Sequence, residues 1–225
     1  MKSILLTATF LCAVSGAAFA ADTVEVAPVS AGFIWTGGYV GLQAAYGWGD
    51  TRFDDGATSN WFDVDGFAGG LTAGYNVQFA GNWVAGIEAD LSISGVDGAF
   101  GPGNLGQPDG SSWGCGSDAC TTDVDWYATA RARLGYAFDN LLVYGTGGLA
   151  IGRVKSQIVD DSAFYVSDTN IGWSAGAGVE YALNQNWSVK AEYLHVDLGW
   201  TELANDFFKS ETKFDTVRLG VNYRF

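Results

Sequence analysis

The sequence predicts an all-β protein, an eight-stranded antiparallel up-and-down transmembrane β-barrel. Three observations lead to this prediction: segments in which apolar and polar residues alternate, links that are alternately short and long, and a composition rich in Gly and aromatic residues but poor in charge. Alternation with a period of two indicates a strand with one apolar face. Links that alternate in length are typical of outer-membrane barrels, which have short turns at one end and long loops at the other.

The chain begins with the features of an export signal. A basic Lys2 precedes an apolar run from Ile4 to Val14, and small residues flank Phe19 at a cleavage site. The apolar run is too short for a transmembrane anchor. We therefore predict a cleaved signal peptide over residues 1–20, a periplasmic N-terminal segment over 21–34, and the barrel with four long extracellular loops over 35–225.

The first four strands follow from alternation in the first half of the barrel. Tyr39 to Trp48 alternates from Val40 onwards, and Gly66 to Gln78 alternates aromatic and aliphatic residues with Thr, Asn and Gln. Trp83 to Ser94 sets apolar residues against Glu, Asp and Ser. In Val124 to Phe138 the pattern places Val124 on the apolar face and the arginines on the other.

The last four strands are predicted in the same way. Leu141 to Arg153 is rich in Gly, so strand is predicted there but its two faces are not distinguished. Ile171 to Leu183, Trp187 to Val196 and Thr216 to Phe225 alternate clearly. An even number of strands puts both termini on the same side, which in an outer-membrane barrel is the periplasm.

The links between strands separate the two ends of the barrel. Those after the second, fourth and sixth strands are short: Phe79 to Asn82, Asp139 to Asn140 and Asn184 to Asn186. Those after the other strands are long, polar and rich in Gly and Asp. We expect tight periplasmic turns and four long extracellular loops.

A soluble ligand-binding barrel is the alternative, since alternation does not say which face points outward. Two features favour the membrane. Tryptophans lie at both ends of the strands, as in the aromatic girdles of membrane barrels: Trp35, Trp83 and Trp187 near the short turns, Trp48 and Trp126 near the loops. The polar face also carries charges of both signs, which suits a closed interior.

These charges predict an interior network. Its members are Glu88, Asp90, Arg131, Arg133, Glu180, Lys190, Glu192, Arg218 and Arg224. Eight strands leave a lumen just wide enough for side chains, and buried charges must pair to offset the loss of water. We expect a plugged barrel, with a narrow gated channel for small solutes as the alternative.

The charge of the chain restricts its partners. A net charge of −14 argues against nucleic acid, whose phosphates would be repelled. The acidic loops are explained by solubility, or by divalent cations shared with lipopolysaccharide. Trp61, Phe62, Trp113, Phe207 and Phe208 are loop aromatics that suggest contact with a host or envelope ligand, or that pack among themselves.

Little in the sequence indicates catalysis, a cofactor or a metal. Cys115 and Cys120 are predicted to form a disulfide, because a metal site would need more ligands nearby. The one histidine, His195, is expected at the membrane interface. A hydrolase using Ser188 or Ser210, or surface haem binding through His195 or Tyr165, are alternatives with less support.

Three segments carry a resemblance to a known family. Residues 35–50 ("WTGGYVGLQAAYGWGD"), 69–90 ("GGLTAGYNVQFAGNWVAGIEAD") and 216–225 ("TVRLGVNYRF") resemble the small outer-membrane proteins of alpha-proteobacteria, the RopB-type porin-family proteins with an OmpA-like barrel. The resemblance implies an eight-stranded barrel in the cell outer membrane, roles in envelope integrity and host contact, and no enzymatic activity. It also implies that Tyr223 and Phe225 form a signal for the barrel-assembly machinery.

Overall fold

The computed structural model describes residues 33–54, 56–112, 114–115, 119–158, 161–202 and 209–225. The predicted signal peptide and all of the predicted N-terminal segment before Phe33 lie outside these ranges. The strands are β1 (Gly37–Asp54), β2 (Phe62–Phe79), β3 (Trp83–Phe100), β4 (Cys120–Phe138), β5 (Leu141–Ile158), β6 (Asp161–Ala182), β7 (Trp187–Glu202) and β8 (Lys209–Arg224).

The eight strands form a closed antiparallel barrel in sequence order, as predicted. Each strand pairs with the next, and β1 pairs with β8 from Tyr39 opposite Arg224 to Asp54 opposite Lys209. At the short-turn end, Asp139 has a φ of 52°, a conformation that Asp tolerates in a two-residue hairpin turn. Within the described ranges, no helix is long and apolar enough to cross a membrane.

The strands are longer than the alternation predicted. They contain between 16 and 22 residues, whereas about ten residues suffice to cross a bilayer. Acidic residues that were predicted in loops, such as Asp50, Asp65 and Asp97, therefore lie in strands. Only residues 159–160 separate β5 from β6, so the predicted long third loop is wrong. The alternation ended early because the outer face of a strand becomes polar once it leaves the lipid, while its inner face carries both polar and apolar residues, such as Thr51 and Phe53.

The outer face of the barrel is apolar over most of its height. Large side chains there are mostly exposed, including Phe67 (76%), Ile93 (78%) and Ile171 (73%). A surface of this extent is typical of contact with lipid.

One predicted face is wrong at Val124. This side chain is 1% exposed and points into the barrel together with Tyr127. The pairing with β5 shifts in register between Val124 and Trp126, where a β-bulge places an additional residue, Asp125, in β4. A bulge reverses the facing of every residue beyond it, so the alternation fails there.

The interior is arranged in layers along the barrel. An apolar cluster around Trp35, Leu142 and Tyr144 lies at the short-turn end. Next come the charged residues, and then a larger apolar cluster around Tyr127, Leu194 and Phe214. Buried hydroxyls follow, with Ser156 within 3.1 Å of both Thr122 and Ser210. A third apolar cluster lies at the loop end.

Candidate functional site

The charged residues that the sequence placed on the polar face all lie inside the barrel. Their strands alternate strictly at this level, so each side chain points into the lumen. Every member of the set is at most 4% exposed: Glu88, Asp90, Arg131, Arg133, Glu180, Lys190, Glu192, Arg218 and Arg224. The sequence pattern could not predict which of these residues pair with each other, because the pairing depends on how the barrel closes.

Arg131 lies at the centre of this set. One nitrogen, Nη2, donates to Glu88 Oε1 at 2.7 Å and to Asp90 Oδ2 at 2.8 Å, both on the neighbouring strand β3. The other, Nη1, donates to Glu192 Oε1 on β7 at 2.9 Å. A planar guanidinium with several fixed donors is suited to join three carboxylates in this way.

A second arginine joins the charged layer to the short-turn end. Arg133 Nη2 donates to Glu180 Oε2 at 2.9 Å, and its guanidinium carbon lies 3.9 Å from the centroid of the Tyr144 ring. Glu180 Oε1 also accepts hydrogen bonds from Ser188 at 2.6 Å and Asn222 at 3.0 Å. This carboxylate therefore has partners on three strands besides its own.

Besides the Arg131–Glu192 pair between β4 and β7, two further ion pairs between described residues cross the lumen. Lys190 Nζ on β7 lies 3.0 Å from Glu88 Oε2 on β3, and these strands are four apart in a ring of eight. Arg218 Nη1 on β8 donates to Asp90 Oδ1 at 3.1 Å. Side chains from facing walls of the barrel thus meet in its interior.

Two tyrosines belong to the network, although the sequence analysis did not assign them. Tyr39 donates its O–H to Glu88 Oε2 at 2.7 Å, and Tyr144 donates to Glu192 Oε2 at 3.0 Å. The sequence could have identified Tyr39 as an interior residue, because the alternation places it on the polar face together with Gly41 and Gln43. Tyr144 lies in the Gly-rich segment, where the sequence did not distinguish the faces.

The tyrosines are part of a pattern that occurs twice. Across β1 to β4, residues paired in register read Tyr39, Gly74, Glu88 and Arg131. Across β5 to β8 the same order recurs as Tyr144, Gly178, Glu192 and Arg218. The two halves of the barrel therefore build the charged layer with the same four residue types.

Trp35 was predicted in the outer aromatic girdle, and this is wrong. Its side chain is fully buried and closes the interior at the short-turn end. The indole Nε1 donates to Asp139 O at 3.1 Å, and the Arg224 guanidinium lies 5.0 Å from the ring and donates to Trp35 O. Trp35 precedes β1, so the pleat of that strand does not determine the direction of its side chain.

The other predicted girdle residues lie on the barrel wall. Trp83 and Trp187 face outward near the short turns, and Trp48 faces outward near the loop end. Trp126 is partly exposed beside the bulge in β4. At the C-terminus Tyr223 and Phe225 point outward with their rings 5.7 Å apart, in the position predicted for an assembly signal.

At the loop end, the connection between β1 and β2 packs against the connection between β3 and β4. A disulfide joins Cys115 and Cys120, as predicted, and packs with Phe53 and Phe62. Phe62, which was predicted as a loop aromatic that either meets a ligand or packs against other aromatics, begins β2 and is buried, with its ring 5.4 Å from that of Phe53. Asn60 links the two connections through bonds with Gly106 O and Leu105 O.

Asp109 lies in an exposed part of the connection between β3 and β4. The side chain and the backbone N–H of Ser111 both donate to this carboxylate, which lowers the pKa of Asp109. Trp113, Phe207 and Phe208 lie outside the described residues.

His195 faces the outside of the barrel, as expected for an interfacial position. Its Nδ1 lies 2.8 Å from Asp215 Oδ1, and its ring is 5.2 Å from that of Trp173. Ser188 and Ser210, the nucleophiles considered with it, are buried inside, on the other side of the wall. In the described part of the chain, no three His, Cys, Asp or Glu side chains could hold a metal ion. The Tyr165 side chain lies outside the described residues.

The chain is similar to known outer-membrane proteins. It is 41% identical to the 31 kDa outer-membrane immunogenic protein of Brucella melitensis biotype 1, over the full length of both chains. It is 32% identical to the 22 kDa outer membrane protein of Rhizobium leguminosarum bv. viciae, over 89% of this chain and 83% of that one.

A solved structure also matches. Neisserial surface protein A has a TM-score of 0.49 at 16% identity, covering 84% of this chain and 98% of its own. The model of the outer membrane protein beta-barrel domain matches residues 6–225. The chain therefore belongs to the family of outer-membrane proteins with this β-barrel domain.

Proposed function

We propose that the protein is a closed, non-conducting barrel with a structural role in the envelope and an interaction surface at its loop end. The observation that carries this proposal is the ion pair between Lys190 and Glu88, which joins opposite walls of the lumen. An ion crossing the barrel would have to separate this pair. Breaking a buried pair leaves each charge without water or a partner, which is strongly unfavourable.

The apolar layers support the same proposal. On the short-turn side of the charges lie Trp35 and Leu142, and on the loop side lie Tyr127 and Phe214, all at most 1% exposed. A permeating ion would lose most of its hydration in both layers, because the side chains packed there are mainly apolar. We therefore infer that the interior supports the wall of the barrel rather than a path through it.

The orientation that we propose places both termini in the periplasm and the loop end outside the cell. The start of β1 and the end of β8 meet at the short-turn end, where Phe225 N donates to Gly38 O at 3.1 Å. Barrels of the outer membrane have short periplasmic turns and longer external loops. The immunogenic Brucella relative, as its name describes it, supports exposure of this surface.

An epitope tag tests the orientation. Inserted after Gly103 in the loop-end connection, the tag should bind antibody on intact cells. Inserted after Gln185 in a short turn, it should bind only after the outer membrane is permeabilised. The opposite result would contradict the proposed orientation.

We propose that outward-facing Tyr223 and Phe225 are recognised by the barrel-assembly machinery during insertion. Both side chains point outward at the end of β8, away from the residues that fill the barrel interior. Phe225→Ala should lower the amount of folded protein in the outer membrane, whereas Phe79→Ala, an outward aromatic at another strand end, should not.

A narrow channel is the second candidate. It is favoured by buried polar atoms on the wall of β1, β2 and β8 that have no hydrogen-bond partner among the described residues: Gln43 Oε1, Thr72 Oγ1, both amide atoms of Asn76, and Asn222 Oδ1. These groups could line a path if the ion pairs separated.

Conductance in a planar bilayer distinguishes the two. The mature chain from Ala21 would be refolded, and folding confirmed in the same sample by heat-dependent migration on a gel. A folded barrel without openings is the expected result. Stable, reproducible openings that are altered by Glu88→Gln would support the channel instead.

The envelope role needs a separate test. Deletion of the gene should increase the sensitivity of the cells to detergent.

A further inference from the structure

The outward-facing cations are confined to one end of the barrel. Among the described residues, every Lys or Arg on the outer face lies towards the loop end: Arg52, Arg153, Lys155, Lys209 and Lys213. The apolar belt and the short-turn end carry no such residue in the same ranges. In a chain with a net charge of −14, this distribution indicates that positive charge is placed at one level of the membrane.

Two of these cations share one aromatic ring. The Arg52 guanidinium lies 4.4 Å from the centroid of the Trp61 ring, and Lys213 Nζ lies 4.1 Å from it. Arg52 also lies 5.0 Å from the Trp200 ring, and its Nε donates to Glu211 Oε2 at 2.6 Å. Both charges are thus held side by side on the wall formed by β1 and β8.

Lys213 keeps its donors available. In register it lies between Asp50 on β1 and Asp197 on β7, yet it makes no ion pair among the described residues. Its ammonium contacts the Trp61 ring instead. A cation on an aromatic face still has N–H groups that can bind an anion.

The cluster lies just beyond the polar region of an ordinary phospholipid bilayer, at a height that a larger sugar headgroup would reach. Arg52 is four residues beyond Trp48, the outward tryptophan at the loop end of the apolar belt. At about 3.3 Å per residue along a tilted strand, it lies roughly 10 Å further out. The polar region of a bilayer extends about 5 to 8 Å beyond the hydrocarbon on each side.

We propose that Arg52, Trp61 and Lys213 form a site for the phosphorylated sugar headgroup of an outer-leaflet glycolipid, lipopolysaccharide. Arg and Lys are suited to phosphate, and the Trp61 ring holds both cations in place on the outer wall. The cations contact the phosphate directly, without a bridging divalent metal. This assignment rests on the proposed orientation, in which the loop end faces the outer leaflet.

Binding of a defined lipid tests the site. The refolded mature protein in detergent micelles would be titrated with rough lipopolysaccharide, and with the same material after chemical removal of its phosphates, both in the presence of EDTA. We expect binding of the phosphorylated lipid only. The double variant R52Q/K213Q should bind about tenfold more weakly, the effect of losing a charge-assisted contact.

The matched control is Lys155→Gln on β5. Lys155 is at the same end of the barrel, but it lies on β5, away from the wall of β1 and β8, and its Nζ is paired with Asp125 at 2.8 Å. This variant should bind as the wild type does. Heat-dependent gel migration would confirm that all variants are folded.

Several outcomes would overturn the proposal. Equal binding by R52Q/K213Q and the wild type would remove these residues from the site. Binding that appears only when Mg²⁺ replaces EDTA would indicate bridging by divalent cations between the lipid and carboxylates at the loop end. Full competition by inorganic phosphate at the concentration of the lipid would show that the site takes free phosphate. None of these results depends on conductance, so a failure here would be separate from failure of the proposed closed barrel.

Discussion

Glu88 and Glu192 occupy equivalent positions in the two halves of the barrel. Each accepts a hydrogen bond from a tyrosine two strands earlier, and each lies opposite an arginine on the next strand. Glu88 also contacts Lys190 across the lumen. Among the described residues, Lys190 has no other carboxylate partner, so this ammonium depends on Glu88.

Removing that carboxylate should be costly. Glu88→Gln is expected to lower the free energy of unfolding by about 3 kcal/mol, because it leaves the Lys190 ammonium buried without a counter-charge. Lys190→Met should restore part of the loss, so the effects of the two changes will not add. The measurement is urea unfolding of the refolded protein followed by tryptophan fluorescence. Arg153→Gln, at a side chain that is 47% exposed, is the control and should cost less than about 1 kcal/mol.

The glycines beside the two tyrosines should be intolerant of alanine. A Cβ at Gly178 would lie 2.6 Å from Tyr144 Oη, and one at Gly74 would meet the Tyr39 ring. Each substitution to Ala should cost about 1 to 3 kcal/mol in the same unfolding measurement. Gly69 faces outward, with 3.7 Å to the nearest atom, so Gly69→Ala should change stability by less than about 0.5 kcal/mol. Equal effects at Gly69 and Gly74 would contradict this packing.

The interior position of Trp35 predicts a difference between two tryptophans. Trp35→Ala should lower the free energy of unfolding by about 3 to 5 kcal/mol, because it leaves a cavity under Arg224. Trp83→Ala should cost clearly less, since that ring is 44% exposed on the outer face. Trp35→Phe should recover much of the loss by restoring an aromatic ring. If Trp35→Ala lowered the free energy of unfolding by as little as Trp83→Ala does, both rings would have to face the lipid.

The disulfide should stabilise the loop end locally. The double variant C115S/C120S loses a closed ring worth roughly 2 kcal/mol, which corresponds to about thirtyfold faster proteolytic cleavage within residues 101–119. The unfolding midpoint of the barrel should stay unchanged, because the strands pair without this connection. A reducing agent should reproduce the effect on the wild type and have no effect on the variant. A large fall in the barrel midpoint would show that the connection supports the strands themselves.

Alternation predicted the strands because one face of each meets lipid and the other meets a charged interior. It could not predict the bulge that turns Val124 inward, since an additional residue in a strand leaves no mark in composition. It also could not place Trp35, which lies before β1 and is positioned by Asp139 and Arg224, distant in the sequence.

The charged residues were predictable as a set but not as pairs. Facing follows from the period of two within a strand, which identified Glu88 and Lys190 as interior residues. Their contact depends on the closure of β1 onto β8 and on the stagger of the strands around the barrel, a property of the whole ring. For the same reason Tyr39 and Tyr144, which read as ordinary aromatics at strand starts, gained a role only in the closed structure.

The repeated order of Tyr, Gly, Glu and Arg has a consequence for how the chain could be connected. The start of β1 and the end of β8 meet at the short-turn end. The Asp139–Asn140 turn, which connects the two halves, lies at the same end. A circular permutant that joins Phe225 to Phe33 through a short linker and opens at Asn140 would keep every strand neighbour. Such a permutant would lack Phe225 at its end, so it should be refolded in detergent, without the assembly machinery. There we expect it to form the same ring, with the two halves in the opposite order along the chain.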